Sequence, residues 1–337
     1  MKLGIYSPFY PDKTALSRYA YDFIRFCRME GIDPFLITTN TVPVKRPNWI
    51  KTATPSQVEL AVYSWGNNPL HHPMLHEFAK NTVRSRPSII SIMHDIWLPF
   101  AAKPGCVRCR WSRGIIILPQ AHRILEDTIQ ARKLTLRSLE PRILEKSFSV
   151  VVTSEYARSI LLRVASRNGN ENRVHIIKYP VDYEEYQNAD REEARKSLEI
   201  PMDKIVLLCP GIISPHKGIE DTLYAVRILK EIHRINNIFY ILLGEQPHPS
   251  HYENYILSLV SRWRLDDVVV KIPFISNEPE NNLYRKYLSA SDFVLVPRRH
   301  TYGESSAVVS EALASGRIVV GSNIGALPEY LEGRGVM

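Results

Sequence analysis

The sequence predicts an α/β fold of two domains, each built on a doubly wound parallel sheet. Short β-branched runs alternate with amphipathic helical segments along the chain, a pattern that is typical of parallel sheets. The alternation runs through the first 180 residues and restarts after residue 200. The length of 337 residues is also sufficient for two domains that each bury a core.

In the first half, the run KLGIYS is predicted to form a strand, and LSRYAYDFIRFCRMEG is predicted to form a helix. Tyr19, Phe23 and Phe26 lie on one face of this helix, and Gly31 is expected to end it. Four further β-branched runs are predicted strands: PFLITT, VELAVYSW, SIISIMHD and SVVVTS.

In the second half, the predicted strands are KIVLLCPG, FYILLGE, VVVKIPF and FVLVP. Helical segments lie between them, namely GIEDTLYAVRILKEIHR, HYENYILSLVSRW and ENNLYRKYLSASD. A polar, charged stretch from about residue 180 to residue 203 separates the two series. We therefore place the domains at residues 1–182 and 183–337.

The composition is that of an ordinary globular protein, with 45% hydrophobic and 23% charged residues. Apolar runs such as Ile238–Leu243 are far shorter than the ~18 residues that cross a bilayer. The start, MKLGIYSPFYP, lacks the apolar region of a signal peptide, and four cysteines do not make a disulfide framework. These observations predict a cytoplasmic protein.

Positive charge is concentrated in the first half. The net charge is +8, but residues 1–180 hold 26 Lys and Arg against 13 Asp and Glu, whereas the other residues hold 17 against 22. Such asymmetry indicates that the first half meets an anionic partner. Membrane lipid and a phosphorylated acceptor are both candidates for this partner. The alternative is a solvated basic surface that has no partner. Nucleic acid is not expected, because the sequence has no recognisable nucleic-acid-binding module.

The stretch TYGESSAVVSEALASGRIVVGSNIGALPE has the features of an anion site. Small residues at Ser305, Ser306 and Ala307 stand where a helix is predicted to begin, so backbone N–H groups there can approach an anion. Glu304 and Glu311 are spaced to lie on one side of that helix and can accept hydrogen bonds from hydroxyl groups beside the anion. The alternative is that Glu304 only favours the helix start and that Glu311 is solvated.

A nucleotide sugar combines a diphosphate with hydroxyl groups on either side. Lys217, in GIISPHKG after the first strand of the second domain, can neutralise the diphosphate. Ligands of doubly wound sheets bind beyond the carboxyl ends of the strands, and the residues at predicted strand ends are therefore candidates. They are Ser7, Gly66, His94, Asp95, Ser154, Gly211, Gly244 and Pro297.

ESSAVVSEALASGRIVVGSNIGALPE resembles the donor-site signature of the retaining glycosyltransferases of family 4, whose GT-B fold has two Rossmann-like domains facing a cleft. Five other segments are similar to that family in the same order: VYSWGNNPLHHPM, SIISIMHD, VVVTSEYARSIL, PGIISPHKG and SASDFVLVP. The resemblance covers nearly the whole chain. It implies that residues 1–182 form an acceptor-side domain and residues 183–337 a donor domain for a nucleotide sugar.

The resemblance implies a metal-independent hexosyltransferase whose donor substrate is a nucleotide diphosphate sugar and which needs no cofactor. In the donor domain, Glu311 would bind the ribose, Glu304 would contact the sugar, and the backbone of Ser305, Ser306 and Ala307 would hold the diphosphate. Gly211 would line this donor site, and Lys217 would stabilise the leaving phosphate.

In the first domain, the resemblance places His94 beside the anomeric centre. His71 and Arg18 are acceptor-side candidates, although His72 is adjacent to His71 and a solvated helix Arg is the alternative for Arg18. The sequence departs from the family at Gly303, which occupies the position of the first glutamate, and at Ile212, where an Arg is common. It also looks short at its C-terminus.

Two further features suggest sites in the first domain. Cys106 and Cys109 form a single C-x-x-C pair, which indicates either a free dithiol or half of a metal site. The run HRILEDTIQARKLTLRSLEPRILEKSF is basic and has apolar residues at helical spacing. It can lie on an anionic membrane, at the inner face of which the protein would then work, or it can cover the sheet with a solvated basic face.

Three functions remain open. The first is an active retaining glycosyltransferase with a lipid or other anionic acceptor. The second is a non-catalytic relative that binds a nucleotide sugar, motivated by Gly303 and Ile212. The third is a GT-B epimerase of nucleotide sugars, which would turn over its donor without an acceptor.

Overall fold

The computed structural model describes residues 2–10, 15–38, 43–66, 74–75, 77–78, 81–82, 87–96, 140–165, 169–187, 190–244, 251–273, 275, 283–299, 301 and 303–337. By their contacts the residues form two compact units, of which the first comprises 1–178 with 302–305 and the second 179–301 with 306–337. The second unit therefore begins four residues before the predicted domain start at 183. Each unit is built on one sheet of parallel strands, as the sequence predicted.

The first unit contains a seven-stranded parallel sheet with the order β3-β2-β1-β4-β5-β6-β7. Five of the strands are the predicted β-branched runs, and the short outer strands β3 and β7 were not predicted. The bounds are β1 Leu3–Ser7, β2 Phe35–Thr38, β3 Lys51–Thr52, β4 Leu60–Trp65, β5 Ser88–Met93, β6 Ser149–Val152 and β7 Val174–Ile176.

Three helices of this unit are described, α1 Ala15–Met29, α2 Glu140–Lys146 and α3 Glu155–Ala165. The buried apolar face of α1 consists of Leu16, Tyr19, Ala20 and Ile24. Phe23 and Phe26, which were expected on one face with Tyr19, are half-buried, and the rings of Tyr19 and Phe23 stack at 5.9 Å between centroids. Gly31 follows the helix with φ +75°, so the predicted glycine stop is confirmed.

The second unit contains a five-stranded parallel sheet with the order β10-β9-β8-β11-β12. The bounds are β8 Ile205–Pro210, β9 Ile238–Leu243, β10 Val269–Ile272, β11 Phe293–Val296 and β12 Ile318–Gly321. Its helices are α4 Tyr183–Gln187, α5 Arg191–Ser197, α6 Ile219–Glu231, α7 His251–Arg262, α8 Leu283–Ala290, α9 Ala307–Ala314 and α10 Leu327–Leu331.

An ion pair between the buried Arg195 and the partly exposed Asp292 attaches α5 to this sheet. Arg195 is fully buried, and its Nη2 donates to Oδ2 of Asp292 over 2.8 Å. The same carboxylate accepts the backbone N–H of Val206, the second residue of β8, over 2.7 Å. Arg191 donates to Oδ1 of Asp292 over 2.6 Å. The cluster therefore anchors the start of the strand whose other end carries Gly211.

Both sheets are doubly wound, and each has one point where the strand order reverses. In the first sheet this point lies between β1 and β4, and in the second it lies between β8 and β11. Phe293 and Val294 of β11 pair with Leu207 and Leu208 of β8. Because ligands of such sheets bind at the carboxyl ends of the strands beside this point, the loops after β8 and β11 are the first place to examine in the second unit.

Candidate functional site: an anion recess in the second unit

Gly211 and Lys217 lie together after the carboxyl end of β8. Gly211 has φ +122°, a conformation that L side chains rarely adopt. Lys217 ends the 3₁₀ turn Pro215–Lys217, and its Nζ lies 3.7 Å from the position of a Cβ on Gly211. Glycine at position 211 thus leaves room for the ammonium group beside the strand end.

Arg298 adds a second positive charge from the loop after β11. Its side chain is buried and lines the same recess as Gly211 and Lys217. Sequence analysis missed this residue, although it identified the adjacent Pro297 as a strand end. Only the pairing of β11 with β8 brings the two loops together, and no local pattern indicates that pairing.

The N-terminus of α9 forms another wall of the recess. Ser306 is its N-cap residue, with extended backbone, so the helix begins where the sequence predicted. Val309 and Ser310 donate their N–H groups to the carbonyl of Ser306 over 3.0 and 3.3 Å. The N–H groups of Ala307 and Val308 precede these first intrahelical bonds and therefore have no acceptor within the helix.

The hydroxyl of Ser306 is the most informative atom of the recess. Ser306 is only 4% exposed, and its Oγ has no hydrogen-bond partner among the residues that the structure describes. A buried hydroxyl without a partner is destabilising, so such a group indicates a ligand that satisfies it. Two cations, a helix N-terminus and this hydroxyl all favour an anion there.

Glu311 is held in place by Tyr284 of α8. The phenol of Tyr284 donates to Oε2 of Glu311 over 3.0 Å, and Glu311 is 4% exposed. The alternative in which Glu311 is a solvated helix residue is therefore wrong. Burial, and next the charge of Glu311, hold the pKa of Tyr284 well above its ordinary value, so Tyr284 remains a donor at neutral pH.

Glu304 does not stand in the predicted relation to Glu311. The two glutamates were expected on one side of a helix, but α9 begins at Ala307, three residues after Glu304. Gly303 has φ +85° and Ser306 is extended, so the backbone between them is not helical. The helical spacing therefore does not apply to this pair. Glu304 and Ser305 are both half-buried, and by its contacts this segment belongs to the first unit.

In the first unit, His94 follows β5 and is 7% exposed. Its Nε2 lies 3.0 Å from Oγ of Ser64 on β4, and its ring meets the ring of Tyr19 edge-to-face at 4.3 Å between centroids. These contacts fix the orientation of the imidazole. Sequence analysis missed Ser64, because a serine on a buried strand carries no local sign of what its hydroxyl will contact.

Arg18 is a buried residue of α1. It is 3% exposed, and its Nε donates to Oδ2 of Asp22 over 2.8 Å. The alternative in which Arg18 is a solvated helix Arg is therefore wrong. The other acceptor-side candidate, His71, lies outside the described residues.

Cys106, Cys109 and most of the predicted basic helix also lie outside the described residues. The described end of that run is α2, where Ile143 and Leu144 are buried in the core and Arg142 and Lys146 are exposed. In the described ranges, no helix is long and apolar enough to span a bilayer, and no three His, Cys, Asp or Glu residues cluster as metal ligands would.

Comparison with known proteins identifies the unit that carries the recess. Residues 190–334 match the family described as glycosyl transferases group 1. This part of the chain is thus similar to that family. The matched region contains Gly211, Lys217, Arg298 and Glu311, as well as the N-terminus of α9.

Curated relatives extend the match into the first unit. A D-inositol 3-phosphate glycosyltransferase of Saccharomonospora viridis is 26% identical over 259 residues, which are 73% of this chain and 57% of the relative. A protein of the same name from Corynebacterium efficiens is 24% identical over 242 residues, 70% of this chain and 53% of the relative. The chain thus spans little more than half the length of these relatives.

Solved structures show the same fold as this two-unit chain. HepE of Anabaena in complex with UDP has a TM-score of 0.65 at 15% identity, covering 98% of this chain and 83% of that one. Sucrose-phosphate synthase of Thermosynechococcus elongatus has a TM-score of 0.66 at 18% identity, covering 97% and 82%. The predicted GT-B fold is thereby confirmed.

Proposed function

We propose that this protein is a retaining glycosyltransferase that moves a hexosyl group from a nucleotide diphosphate sugar to an anionic acceptor. The observation that carries the proposal is the recess of the second unit, which is lined both by Lys217 and by Ser306 with its buried hydroxyl, beside the N-terminus of α9. Its chemistry matches a diphosphate, because cations and free N–H groups surround a space with no acidic wall residue among those that line it.

Lys217 has the role that bears most directly on the reaction. Negative charge grows on the nucleotide phosphate as the glycosidic bond breaks, and an ammonium group placed there stabilises the transition state more than the ground state. Together with the helix N-terminus, Lys217 supplies the positive charge that other enzymes obtain from a metal ion. The proposed mechanism is therefore metal-independent.

Glu311 is assigned to the ribose hydroxyl groups of the nucleotide. Its Oε2 is occupied by Tyr284, and a carboxylate has acceptor capacity for further hydrogen bonds. The backbone of Ser305 to Ala307 is assigned to the diphosphate, and Glu304 to the donor sugar. The half-buried position of Glu304 before α9 is compatible with a sugar contact.

His94 is assigned to the reacting sugar or the acceptor. It stands at the carboxyl end of β5, where ligands of a doubly wound sheet bind, and its Nε2 is engaged by Ser64. The contact with Ser64 holds the imidazole at this strand end. Arg18 and His71 are assigned to the acceptor side.

The acceptor is proposed to be anionic, and a membrane lipid is the preferred source. The excess of Lys and Arg in residues 1–180 supports this choice. At the described end of the basic run, Phe148 is 74% exposed close to Lys146, and an apolar ring beside a cation suits a membrane surface. Relatives named for D-inositol 3-phosphate and lipopolysaccharide also have phosphorylated or lipid-linked acceptors in their names.

Ile212 and Glu304 favour one alternative, a non-catalytic protein that binds a nucleotide sugar. Ile212 lines the recess, is 42% exposed and supplies no charge, and Glu304 precedes the helix instead of lying on it. Such a protein would bind the donor without hydrolysing or transferring it.

The decisive experiment has two stages. Thermal unfolding is first measured with UDP and UDP-glucose, since UDP is the nucleotide in the HepE structure, and with other nucleotide diphosphates. A ligand at 100 times its dissociation constant adds about 2.7 kcal/mol to the stability of the native state. Donor hydrolysis and transfer to anionic lipid are then followed by NMR of the anomeric proton. Transfer with retained anomeric configuration supports the proposal. Binding without turnover supports the non-catalytic alternative. Isomerisation of the donor in the absence of an acceptor indicates an epimerase.

A further inference from the structure

Arg298 lies opposite Lys217 across the point where the strand order of the second sheet reverses. Lys217 follows β8 and Arg298 follows β11, and these two strands are neighbours in the sheet. Both side chains line one recess with Ser306. The two cations thus come from the two loops between which a doubly wound sheet binds its ligand.

The loops that carry these cations are tied together. The backbone N–H of Arg299 donates to the carbonyl of His216 over 3.0 Å. Its guanidinium binds Asp221 through both carboxylate oxygens, over 2.8 and 2.6 Å, and reaches Glu220 over 3.2 Å. A Cβ on Gly218 would lie 2.3 Å from the carbonyl of Pro297, so the backbones are in direct contact. The backbone on both sides of Arg298 is therefore fixed against the loop after β8.

The charges of Arg298 and Lys217 act on the same buried surface. Burial raises the pKa of the Cys209 thiol, while a hydrogen bond with Tyr240 and the positive charges of Lys217 and Arg298 oppose that rise. Cys209 lines the recess as well. Both cations are thus close enough to the recess to affect one group in its wall.

We propose that Arg298 is the second diphosphate-binding cation of the recess, and that it makes the site prefer a nucleoside diphosphate to a monophosphate. This inference rests on the proposed donor function of the recess. A diphosphate carries more charge than Lys217 alone balances, and a guanidinium can donate two parallel hydrogen bonds to phosphate oxygens. Ile212, in the loop after β8, supplies no charge, so the positive charge comes from the loop after β11 instead.

The test measures dissociation constants of pyrophosphate, UDP and UMP by calorimetry for the wild type and for Arg298→Gln. Loss of Arg298 is expected to weaken the binding of UDP and pyrophosphate by about 10- to 100-fold and the binding of UMP by much less. The dissociation constants of Arg298→Lys are expected to lie between those of the wild type and Arg298→Gln, because lysine keeps the positive charge but cannot donate two parallel hydrogen bonds. Arg262→Gln is the matched control, since Arg262 is exposed at the end of α7.

A charge-relocation variant guards against a folding defect. Ile212 lines the same recess, so Ile212→Arg in the Arg298→Gln background is expected to restore most of the UDP affinity. Wild-type affinity of Arg298→Gln for UDP and pyrophosphate would overturn the inference and leave the proposed function standing. Pyrophosphate binding that depends on Arg298, without any nucleotide binding, would overturn the nucleotide-sugar function together with the preference for a nucleoside diphosphate. A wild type that binds neither pyrophosphate nor UDP would overturn both.

Discussion

The phenol of Tyr284 donates a hydrogen bond to Glu311 over 3.0 Å, and it does so inside the protein, where Glu311 is 4% exposed. A buried carboxylate is costly unless it is hydrogen-bonded. Tyr284 meets part of this requirement and fixes the direction of the carboxylate. The proposed ribose site thus depends on a residue of α8 as well as on α9.

Loss of either partner should weaken nucleotide binding, to different degrees. Glu311→Ala is expected to raise the dissociation constant of UDP by about 10- to 100-fold, because ribose hydroxyl groups lose a charged acceptor. Tyr284→Phe is expected to raise it by about 5-fold, since the carboxylate stays but loses its orientation. Calorimetry measures both, with the exposed Tyr255→Phe as control. Unchanged affinity in Glu311→Ala would remove this residue from the site.

The pH dependence of binding tests the state of Tyr284. Its pKa is raised, so the protonated donor persists through the range in which an ordinary tyrosine begins to ionise, near pH 10. UDP affinity of the wild type is therefore expected to show no loss that depends on Tyr284 between pH 7 and about 9.5. The check is the ratio of the wild-type and Tyr284→Phe dissociation constants across this range. A ratio that falls toward one by pH 9 would contradict the assignment.

Lys217→Ala should damage turnover more than binding. The ammonium group is proposed to act on charge that grows in the transition state, so kcat is expected to fall by about 100- to 1,000-fold. The UDP dissociation constant should rise by less than about 10-fold, because the backbone of α9 still holds the phosphate. Lys196→Ala, on the exposed last turn of α5, is the matched control. Equal losses in kcat and affinity would argue against a leaving-group role.

Ser64→Ala should separate the positioning of His94 from substrate binding. Without the contact of 3.0 Å the imidazole loses a buried partner, so kcat is expected to fall and its pH profile to shift, while KM changes little. Stability should fall by about 1–3 kcal/mol. Ser88→Ala at the exposed start of β5 is the control. A kcat and pH profile identical to those of the wild type would contradict the role of Ser64.

Asp292→Asn should destabilise the second unit at neutral pH by about 3 kcal/mol, because Arg195 would keep a buried charge without its partner. Burial by itself raises the pKa of Asp292, but the bonds from Val206 and the two arginines outweigh it, so the pKa is lowered. The stabilisation is therefore fully present above the ordinary pKa of about 3.9 and is lost as pH falls through the lower folded-state value. Urea unfolding at several pH values measures this. A difference in the free energy of unfolding between the wild type and Asp292→Asn that persists below the folded-state pKa of Asp292 would contradict this prediction.

The basic run should bind anionic membranes in a salt-dependent manner. Each basic residue near an anionic surface contributes about 1 kcal/mol, and the effect is screened beyond roughly 10 Å at 0.1 M salt. Co-sedimentation with anionic vesicles is expected to fall steeply with salt and to drop when Arg132, Lys133 and Arg137 are neutralised together. UDP affinity of that variant should equal the wild-type value. The membrane proposal would be refuted if the protein does not bind anionic vesicles at low salt and yet glycosylates a neutral soluble acceptor.

The elements of the fold were predictable because they depend on local periodicity. The strands β8, β9 and β11 and the helices α6 and α7 lie where alternating β-branched runs and apolar faces placed them. The short strands β3 and β7 were missed, since two or three residues are too few to show a period. Periodicity placed Tyr19, Phe23 and Phe26 on one face of α1, but the neighbouring elements decide that Tyr19 is buried and that the two phenylalanines are half-buried.

The sequence by itself determined the two-domain α/β class, the start of α9 at Ala307 and the positive charge that Lys217 places near Gly211. These features follow from hydrophobic period, glycine and small-residue positions, all of which act within a few residues. Only the tertiary structure decided that Arg298 joins Lys217, that Tyr284 holds Glu311 and that Glu304 stands outside the helix. Such relations depend on which strands and helices become neighbours, and that choice is made by packing between segments far apart in the chain.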